Sequence, residues 1–143
     1  MKEGKYKKAE KYYDSIFEGI ETESLPLPDC SGKTPERGYL SMPVDTGESL
    51  VLSACEKLGV TPNILFTGVF GILMSRYSNS EESLFATIYN GRNDSRLENT
   101  VCMLVKTLPV YCSCDPKVTI QAYMTELSEQ ILSSMANDTF SVL

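Results

Sequence analysis

The chain has 143 residues, a formal net charge of −6 and no histidine. Its length fits one domain or one lobe of a larger domain, and its 42% hydrophobic and 22% charged residues are typical of a globular protein. The acidic balance argues against a nucleic-acid-binding protein, which needs a basic face. The lack of histidine excludes a Ser-His-Asp triad, a Cys-His pair, a histidine-ligated metal and a histidine general base on this chain.

Apolar periodicity predicts a first helix from Tyr6 to Ile20. A proline-rich stretch follows, and we expect an extended connector over residues 21–37, because prolines there disfavour both helix and central strand. The pattern next predicts a strand from Gly38 to Val44 and a helix from about Gly47 to Leu58, which ends at Gly59.

The clearest helix begins at Thr61, a good N-cap, with Pro62 in the first helical position. Residues 64–74 are apolar nearly all round but too few to span a bilayer, so we expect a central helix that is covered on most sides. Gly68 and Gly71 weaken such a helix, which indicates that another backbone approaches it closely there.

The remaining elements are two extended segments and a final helix. Ser83 to Tyr89 is crowded with apolar residues, as in a strand buried on both faces. A second apolar extended run covers Val101 to Cys112, and a helix is predicted from Val118 to Met135. The whole pattern is that of an α/β protein, a mixed sheet packed with helices.

The cysteines fit no metal site. The five are Cys30, Cys55, Cys102, Cys112 and Cys114, with no C-x-x-C spacing. No apolar leader follows Met1, so we expect a cytoplasmic protein with free thiols and no membrane partner. We interpret Cys112 and Cys114 as small side chains on a strand rather than as a redox pair.

One candidate binding site lies at Asn90-Gly91-Arg92, directly after a predicted strand. Ligand sites in open α/β sheets gather at strand ends, and an arginine there binds a carboxylate or a phosphate. The alternative is structural: Asn90-Gly91 forms a tight turn and Arg92 pairs with Asp94 or Glu98.

Lys106 interrupts an apolar segment and has two interpretations. One is a functional amine with a depressed pKa, and the other is an edge residue whose stem packs on apolar surface. The residues alone therefore indicate an α/β lobe without an identifiable active site.

Three ordered stretches resemble the condensation domains of nonribosomal peptide synthetases. The resemblance runs from Lys7 to Ala136, over nearly the whole chain. The stretches are Tyr12-Tyr13 with Leu25-Pro26-Leu27-Pro28-Asp29, then Thr61-Pro62-Asn63 with Phe70–Arg76, and then Leu84–Arg92 with Thr100–Val110.

The resemblance implies a chloramphenicol-acetyltransferase-like fold of two lobes, with a tunnel between them that takes phosphopantetheine arms from two carrier domains. It implies formation of a peptide bond between an acceptor amine and a donor thioester, with an H-H-x-x-x-D-G signature that is tied to this reaction. That signature is not in this sequence. We therefore expect residues 1–143 to be a partial condensation domain, its C-terminal lobe, inactive alone and without a catalytic residue, a metal or a resident cofactor.

The resemblance also implies roles for particular residues. Gly91 and Arg92 would shape the strand-end turn, and Lys106, Thr107 and Leu108 would occupy the segment that lines the tunnel. Two departures stand out: Cys102 replaces a family glycine and Lys106 replaces a family asparagine, which puts normal substrate handling in doubt.

The expected partners are the N-terminal lobe of the same domain and peptidyl carrier domains. The alternative is a noncatalytic module of the same fold that docks carriers or associates with itself, because an uncovered lobe–lobe face would favour a homodimer.

Overall fold

The computed structural model of the chain describes residues 2–20, 39–43, 47–92 and 95–139. The predicted α/β class is confirmed. The elements are α1 (Lys2–Phe17), α2 (Glu48–Leu58), α3 (Pro62–Tyr77), β1 (Glu82–Tyr89), a 3₁₀ turn (Ser95–Leu97), β2 (Lys106–Ser113) and α4 (Ile120–Ala136). The predicted connector over 21–37 lies outside the described residues. Of the strand predicted from Gly38 to Val44, residues 39–43 are described and form no strand.

Local capping explains where the helices begin and end. The Thr61 hydroxyl accepts a hydrogen bond from the Ile64 N–H at 3.4 Å, and Pro62 occupies the first turn of α3. Gly59 ends α2 in the left-handed conformation, with φ of 65°. The Thr119 hydroxyl accepts from the Ala122 N–H at 3.2 Å, so α4 begins at Ile120, two residues after the predicted start.

β1 and β2 form a two-stranded antiparallel sheet among the described residues. The register pairs Ser83 with Cys112, Phe85 with Val110 and Tyr89 with Lys106. β1 is not buried on both faces as predicted, because Ile88 is 75% exposed on the side away from the helices.

The core lies between the sheet and the helices α3 and α4, and α2 packs on these two helices. Its buried members are Ile64, Val110, Cys112, Tyr123, Met124, Leu127 and Ile131. The groups that lie close to the α3 glycines are side chains and not the predicted backbone: a Cβ on Gly68 would lie 2.7 Å from Met124 Sδ, and one on Gly71 would lie 2.5 Å from Cys112 Sγ.

α3 is less covered than its composition predicts. Gly68, Gly71 and Ser75 are buried, but five large side chains on the opposite face are 44–70% exposed: Phe66, Val69, Phe70, Leu73 and Tyr77. The expectation of a helix covered on most sides is therefore wrong for the described part of the chain.

Hydropathy identifies no single described helix that is long and apolar enough to cross a membrane. α2 and α3 meet the criteria of length and composition only as a pair, which is bent by 90°.

α1 docks on the C-terminal half of α4 through its paired tyrosines. The Tyr12 hydroxyl donates to the Gln130 carbonyl at 3.0 Å and lies 3.0 Å from the Ser134 hydroxyl. Ala9, fully buried, marks the face of α1 that packs inward. The amphipathic pattern of the first helix is thus explained by docking on α4.

Candidate functional site

Most of the predicted site residues lie together at the connecting end of the hairpin. β1 ends at Tyr89, whose cross-strand partner is Lys106, the first residue of β2. Asn90, Gly91 and Arg92 leave β1 at this end, and the chain returns through Cys102. We call this group of residues, from 89–92 and 102–106, the hairpin-end site.

A side-chain hydrogen bond and a glycine define the backbone at Asn90-Gly91. The Asn90 side-chain oxygen accepts a hydrogen bond from the Arg92 N–H at 3.1 Å. Gly91 has φ of 67°, and a Cβ there would overlap the backbone carbonyl oxygen of Leu104. Glycine is therefore required both for the backbone conformation and for the close approach of the returning segment.

Arg92 organises the loop that follows it. Its guanidinium donates to the carbonyl oxygens of Leu97 at 2.7 Å, Thr100 at 3.0 Å and Cys102 at 3.1 Å. These charge-assisted bonds gather three backbone positions around one side chain. Asp94, one of the two acidic partners considered for Arg92, lies outside the described residues.

Lys106 is bound to the end of α4. Its ammonium lies 3.0 Å from the Asp138 carboxylate and donates to the Asp138 carbonyl oxygen at 2.8 Å. Both side chains are half-buried, with 32% and 25% of their surfaces exposed. The contact ties the first residue of β2 to the residues after α4, so the amine serves as a structural ion pair in this conformation.

The last three predicted residues have different environments. Leu108 is 1% exposed and belongs to the interior beneath the sheet. Thr107 is half-buried opposite Ile88. Cys102 is exposed, and its carbonyl, rather than its thiol, contacts Arg92. Of these three, only Cys102 is exposed.

Sequence reasoning missed Tyr89. This residue is 8% exposed, and its hydroxyl is buried without a hydrogen-bond partner among the described residues. Burial, with the negative charge of Asp138 as the second cause, raises the pKa of Tyr89. The sequence does show an aromatic residue at the end of a predicted strand and, in the next apolar segment, the single lysine Lys106.

A second polar cluster lies under the sheet and is structural. The Tyr123 hydroxyl donates to the Gly68 carbonyl at 2.9 Å, and the Ser83 hydroxyl donates to the Gly71 carbonyl at 3.0 Å. Burial raises the pKa of the neighbouring Cys112 thiol to about 11, so this thiol stays protonated near neutral pH. Both hydroxyls bind carbonyls of α3, which anchors that helix to the sheet and to α4.

In the described ranges, no cluster of three or more cysteine or acidic side chains has the geometry to hold a metal ion. The four described cysteines are free thiols. The hairpin-end site thus consists of a backbone turn, two cationic side chains that already bind oxygen atoms of the chain, and one buried phenol.

Comparison with known proteins covers almost the entire chain. The family model "Condensation domain" matches residues 1–141. A plipastatin synthase of Bacillus subtilis (strain 168) is 30% identical over 116 residues, which cover 76% of this chain and 4% of that protein. Gramicidin S synthase 2 of Brevibacillus brevis is 24% identical over 140 residues, which cover 94% of this chain and 3% of that protein.

Solved structures give the same result for the fold. The first condensation domain of the calcium-dependent antibiotic synthetase, in complex with substrate analogue 2a, superposes with a TM-score of 0.73 at 17% identity, covering 96% of this chain and 32% of that chain. The X-domain from teicoplanin biosynthesis gives 0.76 at 15% identity, covering 95% and 31%. The chloramphenicol-acetyltransferase-like fold expected from the sequence is confirmed, and the chain spans about a third of these structures.

Proposed function

The chain belongs to the condensation domain family of nonribosomal peptide synthetases, and we propose that it is the C-terminal lobe of such a domain and is inactive alone. The reaction of the complete domain would join carrier-bound aminoacyl or peptidyl thioesters through a peptide bond. One observation carries the proposal: a sequence that matches the family over residues 1–141 contains no histidine.

The chemistry explains why that observation matters. An amine that attacks a thioester must lose a proton, and the tetrahedral intermediate carries a negative oxygen that needs stabilisation. At the hairpin-end site, Arg92 donates to three backbone carbonyls and Lys106 is paired with Asp138. Burial raises the pKa of Tyr89, which therefore stays protonated near neutral pH. The described residues of this site thus offer no uncommitted base.

We propose that the hairpin-end site forms part of a tunnel wall. Arg92 holds the returning segment, on which Val101, Met103 and Val105 expose 102%, 90% and 52% of their surfaces. Alternating exposed apolar side chains on an extended segment suit the uncharged portion of a phosphopantetheine arm, which a carrier domain would deliver as part of its substrate. Leu108, buried beneath the sheet, would support the wall without lining it.

The test is an amide-forming assay with aminoacyl and peptidyl carrier proteins. The chain alone is expected to give no peptide above the uncatalysed background, measured by mass spectrometry of the released product. Addition of a separately expressed lobe that carries the H-H-x-x-x-D-G signature is expected to give peptide, and the same lobe with its second histidine replaced by alanine is the control. Turnover by the chain alone would contradict the proposal.

A second candidate function is a noncatalytic docking module of the same fold. The exposed apolar face of α3 favours it, because monomeric proteins rarely leave such a face uncovered. A structural relative, the teicoplanin X-domain, has been determined in complex with OxyB and superposes with a TM-score of 0.76 at 14% identity. For this candidate, carrier binding would persist while the combined lobes gave no peptide.

A further inference from the structure

The two outer edges of the β1–β2 hairpin differ in their capacity to accept another strand. The Gln130 carboxamide closes the β2 edge, since it accepts from the Tyr111 N–H at 3.1 Å and donates to the Tyr111 carbonyl at 3.0 Å. Pro109, two residues earlier on the same edge, has no N–H to offer. A further strand on this side therefore has no N–H donor at Pro109 and no unpaired backbone groups at Tyr111 to bond with.

The register shows which residues form the open edge. In an antiparallel pair, alternate residues direct their N–H and C=O groups away from the partner strand. Tyr111, Pro109 and Thr107 point outward from β2, and their cross-strand partners are Leu84, Ala86 and Ile88. The backbone groups of these β1 residues point away from β2 and have no partner within the described ranges. An unpaired edge of this kind is a template for strand addition.

The exposed apolar face of α3 borders that open edge. Phe70 belongs to this face and packs edge-to-face on Phe85 of β1, with 4.9 Å between ring centroids. The face lies opposite Gly68 and Gly71, which contact α4 and β2. Its five partly exposed side chains leave about 500 Å² per copy available for burial, given the area of large apolar side chains.

We propose that a second copy of this chain docks on this surface, with β1 pairing antiparallel to β1 of the other copy about a two-fold axis at Ala86. Leu84 of one copy then lies opposite Ile88 of the other, and Glu82 lies opposite the uncharged Asn90, so no like charges oppose each other. The helices of both copies lie on the same side of the resulting four-stranded sheet, where the α3 faces meet.

Two properties of the surface favour a second copy over another occupant. The buried area, on the order of 1,000 Å² for both copies together, reaches the lower size of specific interfaces. Among the described residues, pairing at β1 also leaves the two closed β2 edges at the outside of the sheet, so assembly stops at two copies. This inference concerns the chain by itself and does not depend on the proposed condensation function.

The test uses charge at the two-fold axis. Ala86 is exposed, so Ala86→Lys and Ala86→Glu are tolerated by the monomer, yet each places like charges opposite each other in the dimer. Light scattering at about 100 µM should give twice the 15.9 kDa chain mass for the unmodified protein. Each variant should weaken dimerisation at least about tenfold, and an equimolar mixture of the two should restore it.

Controls separate this interface from others. Ser113→Lys lies on the closed edge and should leave the dimer unchanged, while Leu73→Asp on the α3 face should dissociate it without loss of helical signal in circular dichroism. Hydrogen exchange should show protection of the Leu84, Ala86 and Ile88 amides only at dimer concentrations. A monomeric unmodified protein, or a dimer that withstands both Ala86→Lys and Leu73→Asp, would overturn the proposal.

Discussion

Gly71→Ala tests whether close packing at α3 sets the stability of this lobe. A Cβ at this position would lie 2.5 Å from Cys112 Sγ and 2.8 Å from the Tyr123 hydroxyl oxygen. Both atoms belong to buried side chains, and the hydroxyl is held by its bond to the Gly68 carbonyl. At these distances both side chains must move to admit the added methyl group, so the substitution forces the core to shift.

The expected magnitude follows from two opposing effects. Alanine in a helix interior gains about 1 kcal/mol over glycine. Overpacking costs about 1–3 kcal/mol, and a weakened buried hydrogen bond at Tyr123 adds about 1 kcal/mol. We therefore expect a net loss of about 1–3 kcal/mol in the free energy of unfolding.

Urea unfolding monitored by circular dichroism at one fixed protein concentration measures this loss. Gly4→Ala in α1 is the matched control, because nothing lies within 4 Å of a Cβ at that position. It should stabilise the chain by no more than about 1 kcal/mol. If Gly71→Ala unfolds at the same or a higher urea concentration than the unmodified chain, close packing at α3 is refuted as the reason for glycine there.

Three further predictions concern the hairpin and its end. Arg92→Lys should speed amide exchange across residues 97–102, because lysine cannot hold three carbonyls with one planar group. Lys106→Met should lower the free energy of unfolding by about 1 kcal/mol, and the difference from the unmodified chain should shrink in about 1 M NaCl. Burial and the Glu82 carboxylate raise the pKa of Tyr111 from its usual 10.0 to about 12. The folded state therefore holds this proton longer than the unfolded state, and stability should fall as pH rises from 10 to 12, less so in Tyr111→Phe.

Elements with local signals were predictable from the sequence. Thr61-Pro62 and Gly59 mark helix ends through interactions that reach no more than four residues along the chain, so the sequence carries the information directly. Asn90-Gly91 is a similar case, because the side chain of Asn90 bonds the backbone two residues later.

Contacts between distant residues were not predictable in the same way. Lys106 meets Asp138 across 32 residues, and Gln130 meets Tyr111 across 19. The extended run predicted from Val101 joins the sheet only at Lys106. One physical reason is that Arg92 binds the Thr100 and Cys102 carbonyls, which holds the start of this run away from the ladder.

The apolar composition of α3 indicates that a partner covers its exposed face, and the described residues do not provide that partner. A helix apolar all round needs cover on all sides, yet one face is open beside the free edge of β1. A second copy of this chain is proposed to cover that face; if the other lobe of a condensation domain binds the same face, the two compete. Titration of the dimer with a signature-bearing lobe should therefore lower the fraction of homodimer in light scattering as a mixed complex forms. A mixed complex that retains the homodimer would show that the two occupants use different surfaces.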